Sequence, residues 1–246
     1  MRLARAILFF ASALLLGGQQ DSSDNGPTSL LIFYKCYPNQ RVQLSQTMHS
    51  AVQRFEQLRV NGVLAGYRVL FSRYVDTDNW DALAVLNFLN YEAVAKWRQV
   101  ERNTPAGLAT DALASVAEVH SYPVDEVRQK GSSEAFPHPV YLVATYANSM
   151  ADYRQYLDAT VVPQFDGWIQ EGILARYEVF LQRYPIGRPW DSAVILAYND
   201  DAAFGQRERI MDRVVQKLGM PPFGEGASNS RAAKGAVIAD EITLPR

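Results

Sequence analysis

His120 alternates with Glu118 and Tyr122 on a short apolar stretch that reads as a β-strand, so the three side chains share a face. An imidazole beside a carboxylate is the best acid–base candidate in the chain. A hydrogen-bonded structural histidine is the competing reading. The other two histidines are placed less usefully. His49 lies on the side of a helical pattern that carries Gln53 and Glu56, away from its apolar stripe, and His138 sits between Pro137 and Pro139. Cys36 is the single cysteine, so no internal disulfide is possible; closing an apolar run, it reads as a small buried hydrophobe rather than a reactive thiol.

A second lead comes from two matched segments. Tyr67, Val69, Phe71 and Arg73 fall on one side of a strand, and Tyr177, Val179, Leu181 and Arg183 do the same in another. Arg68, Leu70, Ser72 and Tyr74 take the opposite side, against Glu178, Phe180, Gln182 and Tyr184. If the first set faces an interior, each copy offers an aromatic wall ending in a guanidinium suited to a planar carboxylate or enolate, which makes Tyr67, Arg73, Tyr177 and Arg183 candidate ligand-binding residues. In the alternative reading, Arg73 and Arg183 pair with Asp81 and Asp191 and only fix the turns.

Other chemistries lack a motif. No cysteine, histidine and carboxylate spacing of metal-binding type is present, and no nucleophile elbow, phosphate loop or dinucleotide fingerprint. Gly224-Glu225-Gly226 follows prolines rather than a strand. It belongs to a Gly/Pro/Ser-rich stretch, 219–235, that reads either as a lid carrying Arg231 and Lys234 or as a disordered loop. The expectation is a protein without cofactor or metal. A net charge of −2 with no long basic block leaves nucleic acid without an electrostatic footprint.

The matched arginines belong to a larger repeat. Between Gly62 and Asn90, residues 110 places apart coincide at ten of 29 positions, including Gly62/Gly172, Tyr67/Tyr177, Arg73/Arg183, Trp80/Trp190 and Asp81/Asp191. Each copy reads as strand, helix, strand, strand, helix, strand. In the first, Leu30–Tyr34 is a strand. A helix with a stripe at Met48, Val52, Phe55 and Leu58 ends at Gly62, and strands follow at Tyr67–Tyr74 and Ala82–Phe88. A second helix spans about Tyr91–Glu101, and a strand near Val116–Tyr122 closes the half. In the second copy, Pro163 should kink or split the first helix, a helix spans about Ala202–Leu218, and Ala236–Leu244 is the last strand. Polar residues 123–139, with Gly131-Ser132-Ser133, read as a linker.

The 246 residues are 48% hydrophobic and 20% charged, enough apolar material for a substantial core. At the N-terminus, Arg2 and Arg5 precede an apolar run from Ala6 to Leu16, the pattern of a secretory signal peptide over residues 1–20; a retained anchor is the alternative. Without those arginines, the 24 basic residues fall to 22 against 26 acidic. Residues 21–28 read as a disordered polar leader, and the protein is expected to be exported, periplasmic or secreted.

The βαββαβ order is a split ferredoxin-like unit whose helices cover one sheet face. Strands 30–34 and 82–88 are apolar on both faces, so the second faces must also be covered, most economically by packing the two sheets together into one barrel with the helices outside. This α+β arrangement, doubled over residues 29–122 and 140–246, resembles the dimeric α+β-barrel superfamily as a tandem pseudo-dimer. The resemblance rests on element order, Tyr67-x-Val69, Arg73-Tyr74 and Trp80-Asp81 in their repeated positions. It implies a single-chain, monomeric barrel. Relatives include haem-binding enzymes, cofactor-free oxygenases, isomerases and lyases. Haem ligation by the superfamily's usual route needs a histidine on the second helix, and neither 91–101 nor 202–218 contains one. Three functions remain open: a protein binding a small apolar or aromatic ligand inside the barrel, a cofactor-independent oxygenase or isomerase using His120, and an interaction protein without a small-molecule site.

Overall fold

A computed structural model describes residues 29–148, 153–222 and 231–244; the signal-like segment, the leader and residues 223–230 of the 219–235 stretch lie outside them. The first half runs β1 (Ser29–Cys36), α1 (Arg41–Val60), β2 (Gly66–Ser72), β3 (Ala82–Asn87), α2 (Tyr91–Asn103) and β4 (Val116–Gly131). The second runs β5 (Val140–Asn148), α3 (Tyr153–Tyr156), a π-helical turn (Leu157–Val161), α4 (Val162–Gln170), β6 (Leu174–Gln182), β7 (Ser192–Tyr198), α5 (Asp201–Gly205), α6 (Arg207–Leu218) and β8 (Arg231–Glu241).

Local chemistry sets the boundaries and repeats between halves. Asn90 caps α2 by accepting from the Ala93 N–H at 3.0 Å, and Asp200, 110 residues later, caps α5 by accepting from Ala203 at 2.7 Å. Gly62 and Gly172 hold left-handed φ values of 69° and 76° after α1 and α4, where a residue with a Cβ would be strained. Pro163, which has no N–H to donate, stands in the first turn of α4, directly after the π-helical turn that separates α3 from α4, the split expected of it. The single helix expected over 202–218 is instead two, broken at Gly205–Gln206.

The strands close into one antiparallel barrel in the order β1-β3-β2-β8-β5-β7-β6-β4. The second four positions repeat the first four in type and direction, so a pseudo-twofold axis runs along the barrel. Helices α1 and α2 cover the outside of the first sheet, burying Leu44, Met48, Val52, Phe55 and Trp97 against Ile32, Tyr34 and Val69. Helices α3, α4 and α6 cover the second, burying Leu157, Phe165, Trp168 and Val214 against Val179 and Tyr198. The barrel interior is a third apolar layer, which includes Leu31, Phe33, Leu70, Val85, Phe180 and Ile195. The bare sheet faces of the two halves therefore cover each other.

β4 corrects the linker expectation. It does not stop at Tyr122 but continues to Gly131, pairing first with β1 and then, from Val124, with β6. Residues 123–131 resemble a linker in composition because their polar side chains find partners in the other half. The Pro123 carbonyl accepts from the Arg183 N–H, and Lys130 reaches Asp166 at 2.8 Å. β8 makes the matching bridge from β5 to β2. The connection between halves is thus shorter, from 132 to 139.

A candidate site at the mouth of the barrel

β2 and β6 face the interior with the set opposite to the one first considered. Arg68 and Glu178 meet inside, Leu70 and Phe180 join the inner core layer, and Ser72 and Gln182 are buried above them. Tyr67 and Tyr177 point outward beneath the helices. Tyr67 packs on Phe55 with ring centroids 6.0 Å apart, and the Tyr177 hydroxyl donates to Asp166 of α4 at 3.0 Å. Burial, helped by Glu56, pushes the Tyr67 phenol up to about 12.

Arg73 and Arg183 have acidic partners across the halves, and Arg73 does not pair with Asp81. They close the two seams between halves: Arg73 bonds Asp240 of β8 at 2.8 Å and also Asp201, and Arg183 bonds Asp125 of β4 at 2.9 Å. Asp81 instead pairs with Arg41, and one of its carboxylate oxygens accepts from the Cys36 N–H at 3.0 Å. Buried beside that carboxylate, the Cys36 thiol is pushed up to about 11 by desolvation and by Asp81, which fits the small buried hydrophobe expected.

His120 does reach a cavity. A pocket of about 450 Å³ opens at the end of the barrel where β1, β2, β5 and β6 finish, within the range of small-molecule sites. Its floor is aromatic. The Phe33 ring lies edge-on to Trp80, Tyr122 and Trp190 at 5.9, 5.6 and 6.1 Å, and Tyr122 packs on Trp190 at 4.7 Å. His120 stands at the rim with its side chain 53% exposed, Nε2 lying 3.3 Å from Glu118 Oε2, so the shared face expected for Glu118, His120 and Tyr122 is formed.

The pocket exists because the halves have diverged. Strand register makes Thr145 the counterpart of Phe33: Leu31 pairs with Val85, and Val143 pairs with Ile195, the residue 110 places after Val85. Phe33 pairs with His120, and Thr145 with Gly235; Leu31 pairs with Tyr122, and Val143 with Val237. The first half therefore contributes Phe33, His120 and Tyr122 where the second contributes Thr145, Gly235 and Val237. Large rings on one wall face small side chains on the other, and the missing bulk is the cavity. At Gly235, any Cβ would approach Asn79 Oδ1 to 2.8 Å. The rim is bipolar: Asp78 on the β2–β3 hairpin corresponds to Arg188 on the β6–β7 hairpin, and both line the pocket. The Arg188 guanidinium lies over the Tyr122 ring, 5.3 Å from its centroid.

Sequence alternation alone missed Trp80, Trp190 and Arg188 as site residues. Their signal in the sequence is the repeated Trp80/Trp190 pair, which by itself marks only the duplication.

The opposite end of the barrel is polar. Arg68 and Glu178 occupy the same position in the two copies, 110 residues apart, and form an ion pair on the axis with side chains 12% and 1% exposed. Burial opposes the charge on Glu178, but Arg68 and Arg176 outweigh it and hold the carboxyl below its usual range. Glu126 and Glu241 are a second related pair, opposite Phe180 and Leu70 respectively. Glu241 accepts from the Tyr141 hydroxyl at 2.5 Å. The counterpart of Tyr141 is Ser29, whose hydroxyl donates to Asn87. Glu126 Oε1 is therefore buried without a hydrogen-bond partner among the described residues, with Arg176 no closer than 3.9 Å. Burial and the nearby Glu178 charge push the Glu126 carboxyl up to about 7, against the pull of Arg176 and Arg68.

No family model and no curated protein matches the chain. Solved structures do. A candidate monooxygenase from Fusobacterium nucleatum subsp. nucleatum ATCC 25586 superposes with a TM-score of 0.59 at 12% identity, covering 89% of this chain and 94% of that one. One from Lactobacillus acidophilus NCFM gives 0.55 at 12% identity, covering 89% and 95%, and an anthrone oxidase-like protein gives 0.55 at 11% identity, covering 89% and 92%. Identities this low speak to fold alone. The fold is that of the dimeric α+β barrels, with both halves in one chain. A haem held by a helix-borne histidine does not fit the residues present: among the described helices, only α1 carries one, and His49 there is exposed and bonded to the Ser45 carbonyl at 2.8 Å.

Proposed function

We propose that the protein binds a small, largely aromatic or apolar molecule in the pocket at the barrel mouth. The observation that carries this reading is the asymmetry of the cavity, in which the rings of Phe33, Trp80, Tyr122 and Trp190 form a floor beneath space left by Thr145 and Gly235. Replacing Thr145 by Phe restores the bulk present in the other copy and should fill the pocket. The test is a thermal-shift screen of aromatic acids, quinones and lipids against wild type and Thr145→Phe. A ligand that stabilises wild type and not the variant supports the reading; stabilisation of both to the same extent, or of neither, defeats it.

A second reading is favoured by one contact, the His120–Glu118 pair at the pocket rim. Here the protein is a cofactor-independent oxygenase or isomerase in which His120 takes a proton from an enolisable aromatic substrate and Glu118 stabilises the imidazolium. His120→Ala must then abolish turnover while leaving the melting temperature unchanged, and undiminished turnover ends the idea. Export is proposed on the pattern of residues 1–20; an intact N-terminus on protein recovered from the cytoplasmic fraction alone argues against it.

A further inference from the structure

Three cationic side chains line the mouth pocket, Lys35, Arg188 and Lys234, against two carboxylates, Asp78 and Glu118. Several of these charges are already engaged. The Lys35 ammonium donates to the Thr77 carbonyl, and Glu118 is bonded to His120. Arg188 is different. Its guanidinium lies over the Tyr122 ring, and no carboxylate or carbonyl accepts from it among the described residues. A stacked guanidinium is oriented by the ring beneath it but keeps its in-plane N–H groups for an acceptor. Arg188 lines the same pocket as Trp80 and Trp190, so those donors are available to a molecule resting on the aromatic floor. Lys234, on β8, adds a second cation without a bonded acid among the described residues. The position that corresponds to Arg188 in the first half is Asp78. Lys35 bonds the Thr77 carbonyl and Lys234 precedes Gly235, which abuts Asn79, so both lysines stand by the Asp78 hairpin and offset its charge, while Arg188 is the cation on the β6–β7 side of the mouth.

Building on the proposed binding role, we infer that the ligand is an aromatic anion, a carboxylate, sulfonate or enolate attached to a ring system, and that Arg188 is the residue that selects it. The ring system rests on the aromatic floor beside the Arg188–Tyr122 stack, against Trp80 and Trp190. The anionic group meets the free edge of the Arg188 guanidinium in a charge-assisted pair.

The test uses two fluorescent probes with nearly the same aromatic body: anilinonaphthalene sulfonate, an anion, and phenylnaphthylamine, which is neutral. Both are titrated into the full chain, with energy transfer from tryptophan as the readout that places them near Trp80 and Trp190. Wild type should bind the sulfonate about tenfold or more tightly than the neutral probe, the scale of one hydrogen bond to a charged group. Arg188→Gln should bring the two affinities together without changing the melting temperature, and Asp78→Asn should widen the gap. If the two probes bind equally, or if the preference survives Arg188→Gln, the anion inference is overturned while the pocket stands. If neither probe binds wild type, or both bind Thr145→Phe as well as wild type, the pocket reading itself fails.

Discussion

Glu126→Gln offers a quantitative test of how the interior is built. The carboxyl has no hydrogen-bond donor among the described residues, because Ser29 stands where the other half has Tyr141, and it shares its surroundings with Glu178. Its proton is held to about pH 7, against an ordinary value of 4.5. Each tenfold gain in proton affinity corresponds to 1.36 kcal/mol, so ionising Glu126 in the folded state costs about 3 kcal/mol. The sign follows from the raised value. The folded chain holds the proton more tightly than the unfolded one, so the contribution of Glu126 to stability is greatest below pH 4.5, declines as pH rises toward 7 and then levels off. Glutamine keeps the shape and never ionises. Thermal unfolding of both proteins from pH 4 to 8 should give similar melting temperatures at the acid end. Above pH 7, the variant should gain about 6–12 °C over wild type, given about 2–4 °C per kcal/mol for a chain of this size. Curves that stay parallel across the whole range would refute the reasoning.

Other perturbations follow from the same structure. Arg68→Met leaves Glu178 buried with one guanidinium fewer and should cost about 3–5 kcal/mol in urea unfolding. The reversed pair, Arg68→Glu with Glu178→Arg, should recover only part of the loss, because Arg176 would then meet a second cation. Gly131 holds φ at 88°, and a Cβ there would lie 2.0 Å from the Ala175 carbonyl oxygen, so Gly131→Ala should lower stability by about 2 kcal/mol or more at the β4–β6 seam. With its proton held to about pH 11, the Cys36 thiol should resist an aromatic disulfide reagent at pH 8 in the folded protein and react fully in urea.

The barrel was legible because its signals were local and doubled. Gly62/Gly172 ends two helices, and strands apolar on both faces announce that each sheet needs covering twice. Which face turned inward was not legible. Tyr67, Val69 and Phe71 make a better apolar row than Arg68, Leu70 and Ser72, yet the second row is the inner one. Arg68 is tolerable inside only because Glu178 lies beside it, and that partner is 110 residues away in sequence. The same long-range matching disguised 123–131 as a linker: Asp125 and Lys130 look solvent-bound until Arg183 and Asp166 are brought beside them. At the mouth, His120 was visible as chemistry, but the cavity beside it was not. It depends on Gly235 and Thr145 being smaller than their counterparts, a comparison that needs strand register and not spacing.

The ion pair on the barrel axis carries a historical consequence. An ancestor assembled from two identical subunits would have placed the same residue twice at that point, and no single charged residue suits itself there. Once one copy held Arg68 and the other Glu178, neither half could rebuild the barrel from two of its own kind without confronting like with like. The divergence acts as a ratchet: joining two genes into one became difficult to undo, and each half was released from symmetry to evolve its own wall of the mouth.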